Sequence, residues 1–147
     1  QMHDHSHDHG DRHAVLKEVY QNYFDIRSAL AADSTKAVPE KASSIAEKID
    51  SFLQKDSDDE ALHSLLTDMK DAAKDLSQEE DIAGARSAFW ALSQKLIEYE
   101  KHHASDKSQK AHLFVCDMAK KQWLQETADI GNPYYGSSML KCGREIK

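Results

Sequence analysis

The residues best suited to chemistry in this chain are four sulfurs near its C-terminus. Cys116 and Met118 flank Asp117, while Met139 and Cys142 flank Leu140-Lys141. In an extended segment residues i and i+2 project to one side, so Cys116 and Met118 can face one point. In a helical turn residues i and i+3 share a face, so Met139 and Cys142 can do likewise. The turn chemistry of Asn132-Pro133, between the pairs, lets them meet. Two thiolates with two thioethers make a soft site suited to Cu(I), whereas Zn(II) sites rarely include thioether. His112 is the nearest imidazole should a methionine not be a ligand. Spacing alone leaves a second reading open, in which Cys116 and Cys142 form a structural disulfide and the methionines fill the core.

Histidines form the second feature. Of nine in the chain, His3, His5, His7, His9 and His13 fall at the start, interspersed with acids. Tracts of this kind bind Cu(II) or Zn(II) with modest selectivity. With Gln1 as the terminus, its amine, two amides and the His3 imidazole could wrap Cu(II) in a square plane. The chain as given has neither an initiator Met nor a basic-then-apolar leader, which we expect of a processed product or a trimmed chain. Other candidates have plainer readings. His102 and His103 suit a helix C-terminus, His63 a helix surface, and Trp90 and Trp123 packing under the tail. Tyr134 and Tyr135 either shield the sulfurs or fill the turn. We find no nucleophile–base–orienter set, no phosphate-binding glycine loop and no Glu-x-x-His pair. The expected protein is therefore not an enzyme.

These groups need elements to hold them. A chain of 147 residues with 39% apolar and 31% charged residues can build one core under a heavily solvated surface. Five glycines and two prolines are too few for an all-β protein with many tight turns. Residues 1–13 carry almost no apolar side chains and are expected to form a disordered metal-binding arm. Residues 14–101 repeat apolar positions in steps of three and four. The stripes are Leu16, Val19, Tyr23, Ile26, Leu30; Val38, Ala42, Ile45, Ile49, Phe52; Leu62, Leu66, Met69, Ala73, Leu76; and Ile82, Ala85, Phe89, Leu92, Leu96, Tyr99. Pro39 fits a first helical turn, while Ser57 to Glu60 and Ser77 to Glu80 read as capping boxes. Short connections predict an all-α, antiparallel up-down four-helix bundle. Residues 102–147 belong to the same domain as an irregular segment packed on the bundle. Within it 112–118 is expected to be extended and 119–126 a short helix.

The net charge of −7 lacks the basic face that nucleic acid requires, and no apolar run approaches the ~20 residues of a membrane span. Acids crowd residues 50–81, while 101–147 is net basic. This predicts a solvated acidic face, with a basic tail lying across it as the alternative.

The block formed by Cys116 to Ala119, Trp123 to Gln125, Asn132 to Gly136, Met139-Leu140 and Cys142-Gly143 resembles a bacterial domain of originally unknown function. That domain occurs as secreted or lipid-anchored small proteins and appended to periplasmic adaptors of heavy-metal (copper and silver) efflux systems. Tyr23, Ala29-Leu30, Asp33, Arg86, Phe89 and Ser93 look similar too. The resemblance implies a helical bundle capped by the cysteine–methionine segment, a periplasmic or otherwise extracytoplasmic setting, and copper handling. The implied partners are the metal ion and an efflux adaptor or copper chaperone. The family usually has proline where this chain has Asp117, which frees the backbone and puts a carboxylate beside the sulfurs. The expected function is thus a periplasmic copper-binding protein for storage, delivery or detoxification. The alternatives are an interaction module of an efflux or envelope assembly with a Cys116–Cys142 disulfide, and a zinc-binding chaperone.

Overall fold

Each of the four apolar stripes becomes one helix: α1 (His5–Ala31), α2 (Val38–Leu53), α3 (Glu60–Ser77) and α4 (Ile82–His102). The computed structural model describes residues 5–54, 59–103 and 111–146, with side chains from Ala14 onward. Among the stripe residues only Phe52 and Ile82, at helix ends, are less than fully buried. Ion pairs stitch consecutive helices along their solvent edges: Glu18–Lys48, Asp25–Lys41, Asp50–Lys70 and Asp68–Lys95. Between α1 and α2 the partner numbers rise on one helix as they fall on the other, so these two helices run antiparallel. No described helix is long and apolar enough to cross a membrane.

The N-terminal arm was expected to lack regular structure, but the backbone is helical from His5. Extending a helix already nucleated by packing costs far less than starting one, so α1 can propagate beyond its apolar stripe. Residues 1–4, including His3, lie outside the described residues.

Helix starts also differ from the expected boxes. Asp59 caps α3, accepting from the Leu62 N–H at 3.0 Å, and Ser57 lies outside the described residues. Asp81 caps α4, accepting from the Gly84 N–H at 2.8 Å. Ser77 is instead the last residue of α3 and donates its hydroxyl to the Lys74 carbonyl. Aspartate satisfies an orphan N–H as well as serine does, so a serine two or four residues earlier among acids was not decisive.

The larger departure from an all-α fold lies after α4. Strands β1 (His112–Cys116), β2 (Lys121–Gln125) and β3 (Arg144–Ile146) form an antiparallel sheet in the order β2-β1-β3. The expected extended segment is β1; the expected short helix over 119–126 is β2. Trp123 and Leu124 meet opposite sides of the tail and so are both buried, which imitates a helical cluster in sequence. The Trp123 ring stacks on Phe114 across the strand pair, with centroids 5.5 Å apart.

The sheet packs on α4 and α1 and covers the seam between them. Beyond its stripe α1 also buries Tyr20, which meets Tyr99 of α4 edge-on, and Phe24 beside it. The acids of α3, including Asp68, Asp71 and Asp75, stay exposed, as the solvated-face reading expected.

Candidate metal centre

Two strands and a turn bring the cysteines together. Cys116 ends β1 and is completely buried. β1 pairs with β3 so that Val115 faces Arg144. One step further, that register sets Cys116 opposite Gly143 and leaves Cys142 beside it. Gly143 takes φ +138, and a Cβ there would lie 2.9 Å from the Val115 carbonyl oxygen and 3.0 Å from the Trp123 ring. Only glycine lets the chain pass so close to β1 immediately after the cysteine. The Cys142 N–H donates to the Met139 carbonyl at 3.0 Å, closing the turn expected for that pair.

The two Sγ atoms are 3.5 Å apart, within hydrogen-bonding distance as thiols. Cys116 Sγ also accepts from the Ala119 N–H at 3.4 Å. The hydrogen bond shared with Cys116 holds the Cys142 thiol above its ordinary pKa, helped by burial and by the nearby Cys116 and Asp117 charges. Two thiolates bound to one metal at about 2.3 Å in tetrahedral geometry would stand about 3.7–3.8 Å apart. The observed spacing fits a shared soft cation with little rearrangement.

The other expected ligands are placed less simply. Met139 lies at the end of a single 3₁₀ turn (Gly136–Ser138) and is partly exposed. Met118 does not share the strand parity of Cys116, because β1 stops at Cys116 and residues 117–120 turn back. The Lys120 N–H closes that turn on the Cys116 carbonyl at 2.7 Å, with Lys120 at φ 57. Met118 is 63% exposed, the most solvated large apolar side chain described. Asp117 reaches across to Arg144 at 3.3 Å. His112 is a correction to the expected ligand set. It opens β1, four residues and roughly 13 Å of strand from Cys116, and its Nδ1 lies 2.8 Å from Glu145 Oε2. His5, His7, His9 and His13 belong to the backbone of α1, but their side chains lie outside the described residues. Among the described residues no group of three or more His, Cys, Asp or Glu side chains is arranged to hold a metal.

The tail is tied together by buried polar joints. Asn132, fully buried, accepts from the Tyr134 and Tyr135 N–H groups and donates to the Cys142 carbonyl at 2.8 Å. Its own N–H reaches the Leu140 carbonyl. One amide therefore ties the Pro133 turn to the loop bearing Met139 and Cys142. Gln125, also fully buried, accepts from Trp123 Nε1 and the Gly131 N–H, both at 2.8 Å, and donates to the Asp129 carbonyl.

Under the sheet, the Leu124 N–H donates to Tyr23 Oη, which shares a 2.7 Å hydrogen bond with Ser93 Oγ. Tyr134 donates to the Gln122 carbonyl at 2.6 Å, and burial pushes its pKa well up, as it does for Tyr23. Tyr134 is a buried packing residue between Trp90 and Trp123.

At the rim, Arg86 donates to the Pro133 and Leu30 carbonyls and to Asp33. Asp33 sits at φ 61 just past α1 and accepts from both the N–H and the hydroxyl of Ser137. Ser137 first, and Arg86 second, hold the Asp33 carboxyl below its usual pKa. Tyr23, Asp33, Arg86, Phe89 and Ser93, the bundle residues that share in the resemblance, thus form the cradle of the sulfur-bearing segment. Asn132 and Gln125 as buried joints had no signal of their own in the sequence.

The structure defines a mainly helical protein: a four-helix bundle whose α1–α4 seam is sealed by a small sheet carrying a dithiol. The chain belongs to the family described as "Protein of unknown function (DUF3347)", which matches residues 19–108. The match covers the cradle residues on α1 and α4 and ends before β1. No curated protein and no solved structure matches the chain.

Proposed function

We propose that this protein is a non-enzymatic carrier of Cu(I), bound between the thiolates of Cys116 and Cys142. Met139 and Met118 close over the metal as thioethers. The observation that carries this reading is the 3.5 Å separation of two thiols from distant parts of the chain, one buried and one at the surface. Cu(I) is satisfied by a few soft sulfurs, whereas Zn(II) needs four strong ligands. A dithiol without a third His, Cys or carboxylate among the described residues therefore suits copper better than a zinc chaperone. Met118 and Met139 are exposed enough to swing onto an arriving ion without opening the core. The histidines of the first thirteen residues would collect Cu(II) or Zn(II). The setting would be periplasmic, with an efflux adaptor or copper chaperone as the giving or receiving partner.

Titration of the reduced protein with Cu(I) against a competing chelator tests this. One tightly held equivalent that disappears in Cys116→Ser supports the carrier. Unchanged affinity in that variant eliminates it.

The same proximity favours a second reading, an interaction module whose cysteines join as a structural disulfide. Metal-independent capture of an adaptor by the oxidised protein, together with no Cu(I) retention by the reduced one, would select it.

A further inference from the structure

The two thiols of the centre are not equivalent. Cys116 is completely buried at the end of β1, under Cys142 and the 117–120 turn. Cys142 is half-buried on a surface turn between Met139 and Gly143. An incoming reagent can meet the Cys142 sulfur in the folded protein and cannot meet that of Cys116. Behind Cys142, already in van der Waals reach, waits a second thiol. This is the arrangement of an attacking and a resolving cysteine.

We propose that Cys116 and Cys142 form a redox couple, entered through Cys142, in which exchange with a disulfide-bearing oxidant closes the internal disulfide and discharges the metal. In the first step the Cys142 thiolate attacks one sulfur of the oxidant RSSR, forming a mixed disulfide and expelling RS⁻. In the second the Cys116 thiolate attacks Cys142 Sγ, forming the Cys116–Cys142 bond and expelling the other RS⁻. The protein loses two electrons, the oxidant gains two, and each expelled thiolate takes a proton or a metal. Copper stays Cu(I) throughout: it loses both thiolate ligands and leaves toward the thiolates just released. Discharge rests on the copper reading above; the exchange itself does not.

The closing movement is local. Cys142 lies on a turn whose following residue, Gly143, has no side chain to obstruct a shift toward β1. Cys116 is held by its pairing with Lys121 in the β1–β2 ladder, next to the residue that pairs with β3, and stays in place.

The test uses the full chain and glutathione disulfide as oxidant. In the metal-free wild type both thiols should disappear together with no glutathione retained. Cys116→Ser should accumulate a stable glutathione adduct at Cys142, at least about tenfold faster than Cys142→Ser forms one at Cys116. Should either variant fold poorly, limiting alkylation of the wild type followed by peptide mapping asks the same question, and label should appear on Cys142 first. Wild type that keeps both thiols, or label appearing first on Cys116, overturns the couple. In Cu(I)-loaded wild type, glutathione disulfide should pass copper to a chelator too weak to strip the reduced protein. Copper retained after the disulfide has closed overturns the discharge. Reduced protein that never holds Cu(I) yet still closes its disulfide overturns the copper reading and the discharge, and leaves the exchange standing.

Discussion

The sulfurs of Cys116 and Cys142 stand 3.5 Å apart across 26 residues of sequence, and a pairing of short strands is what brings them together. Removing either thiol leaves a single thiolate for a metal that needs at least two. Cys116→Ser and Cys142→Ser should each weaken Cu(I) binding on the order of a hundredfold or more, about 3 kcal/mol. Met139→Ala should cost less, about tenfold, because its partly exposed thioether can be replaced by water while Met118 and both thiolates remain. Competition with a Cu(I) chelator reads both effects. Affinity should fall with pH, since both thiols must lose their protons to bind.

Tyr23 and Ser93 join the bundle to the sheet through one hydroxyl pair. Tyr23→Phe keeps the ring stacked on Phe89 but leaves the Leu124 N–H and the Ser93 hydroxyl poorly satisfied in a dry seam. The expected loss is about 1–3 kcal/mol in urea unfolding. Ser93→Ala should cost a similar amount. The double variant should lose less than the sum, because the second change removes an already broken bond.

Asp33 makes the rim of the cradle sensitive to acid. Its carboxyl titrates below the ordinary value because Ser137 and Arg86 stabilise the charged form. The stabilisation is therefore complete above the unfolded value of about 3.9 and is lost as pH falls through the lower folded value. Asp33→Asn tolerates the left-handed backbone, so it isolates the charge. Its urea midpoint should lie below that of wild type by a constant margin above about pH 5, and the margin should shrink as pH falls below about 3.9.

Arg86→Met removes three donated hydrogen bonds at once, two of them to carbonyls of Leu30 and Pro133. Amide exchange should quicken across residues 131–138 before it does so in α2 and α3. Uniform quickening over the whole chain would show that Arg86 supports the bundle generally and does not hold the tail in particular.

The helices were legible because each buries one stripe at a 3.6-residue period, and that period survives in sequence. Asp59 and Asp81 as caps were ambiguous, since every candidate sat among several acids. The sheet was half legible. β1 shows as a short apolar run, but β2 buries both Trp123 and Leu124, and β3 has three residues, too few to show a period. The Pro133 turn permits Cys116 and Cys142 to approach, but only the pairing of β3 with β1 fixes them side by side. His112 was drawn toward the sulfurs by sequence proximity, while the strand carries it to the far end. Met118 lies off the parity of Cys116, because the chain turns one residue sooner than a continuing strand requires.

The most direct test of the copper centre is X-ray absorption at the copper edge of reduced protein loaded with one equivalent of Cu(I). A copper carrier of this design predicts a first shell of sulfur alone at the distance of thiolate and thioether ligands. A first shell dominated by nitrogen or oxygen, or copper that desalting removes, would contradict it.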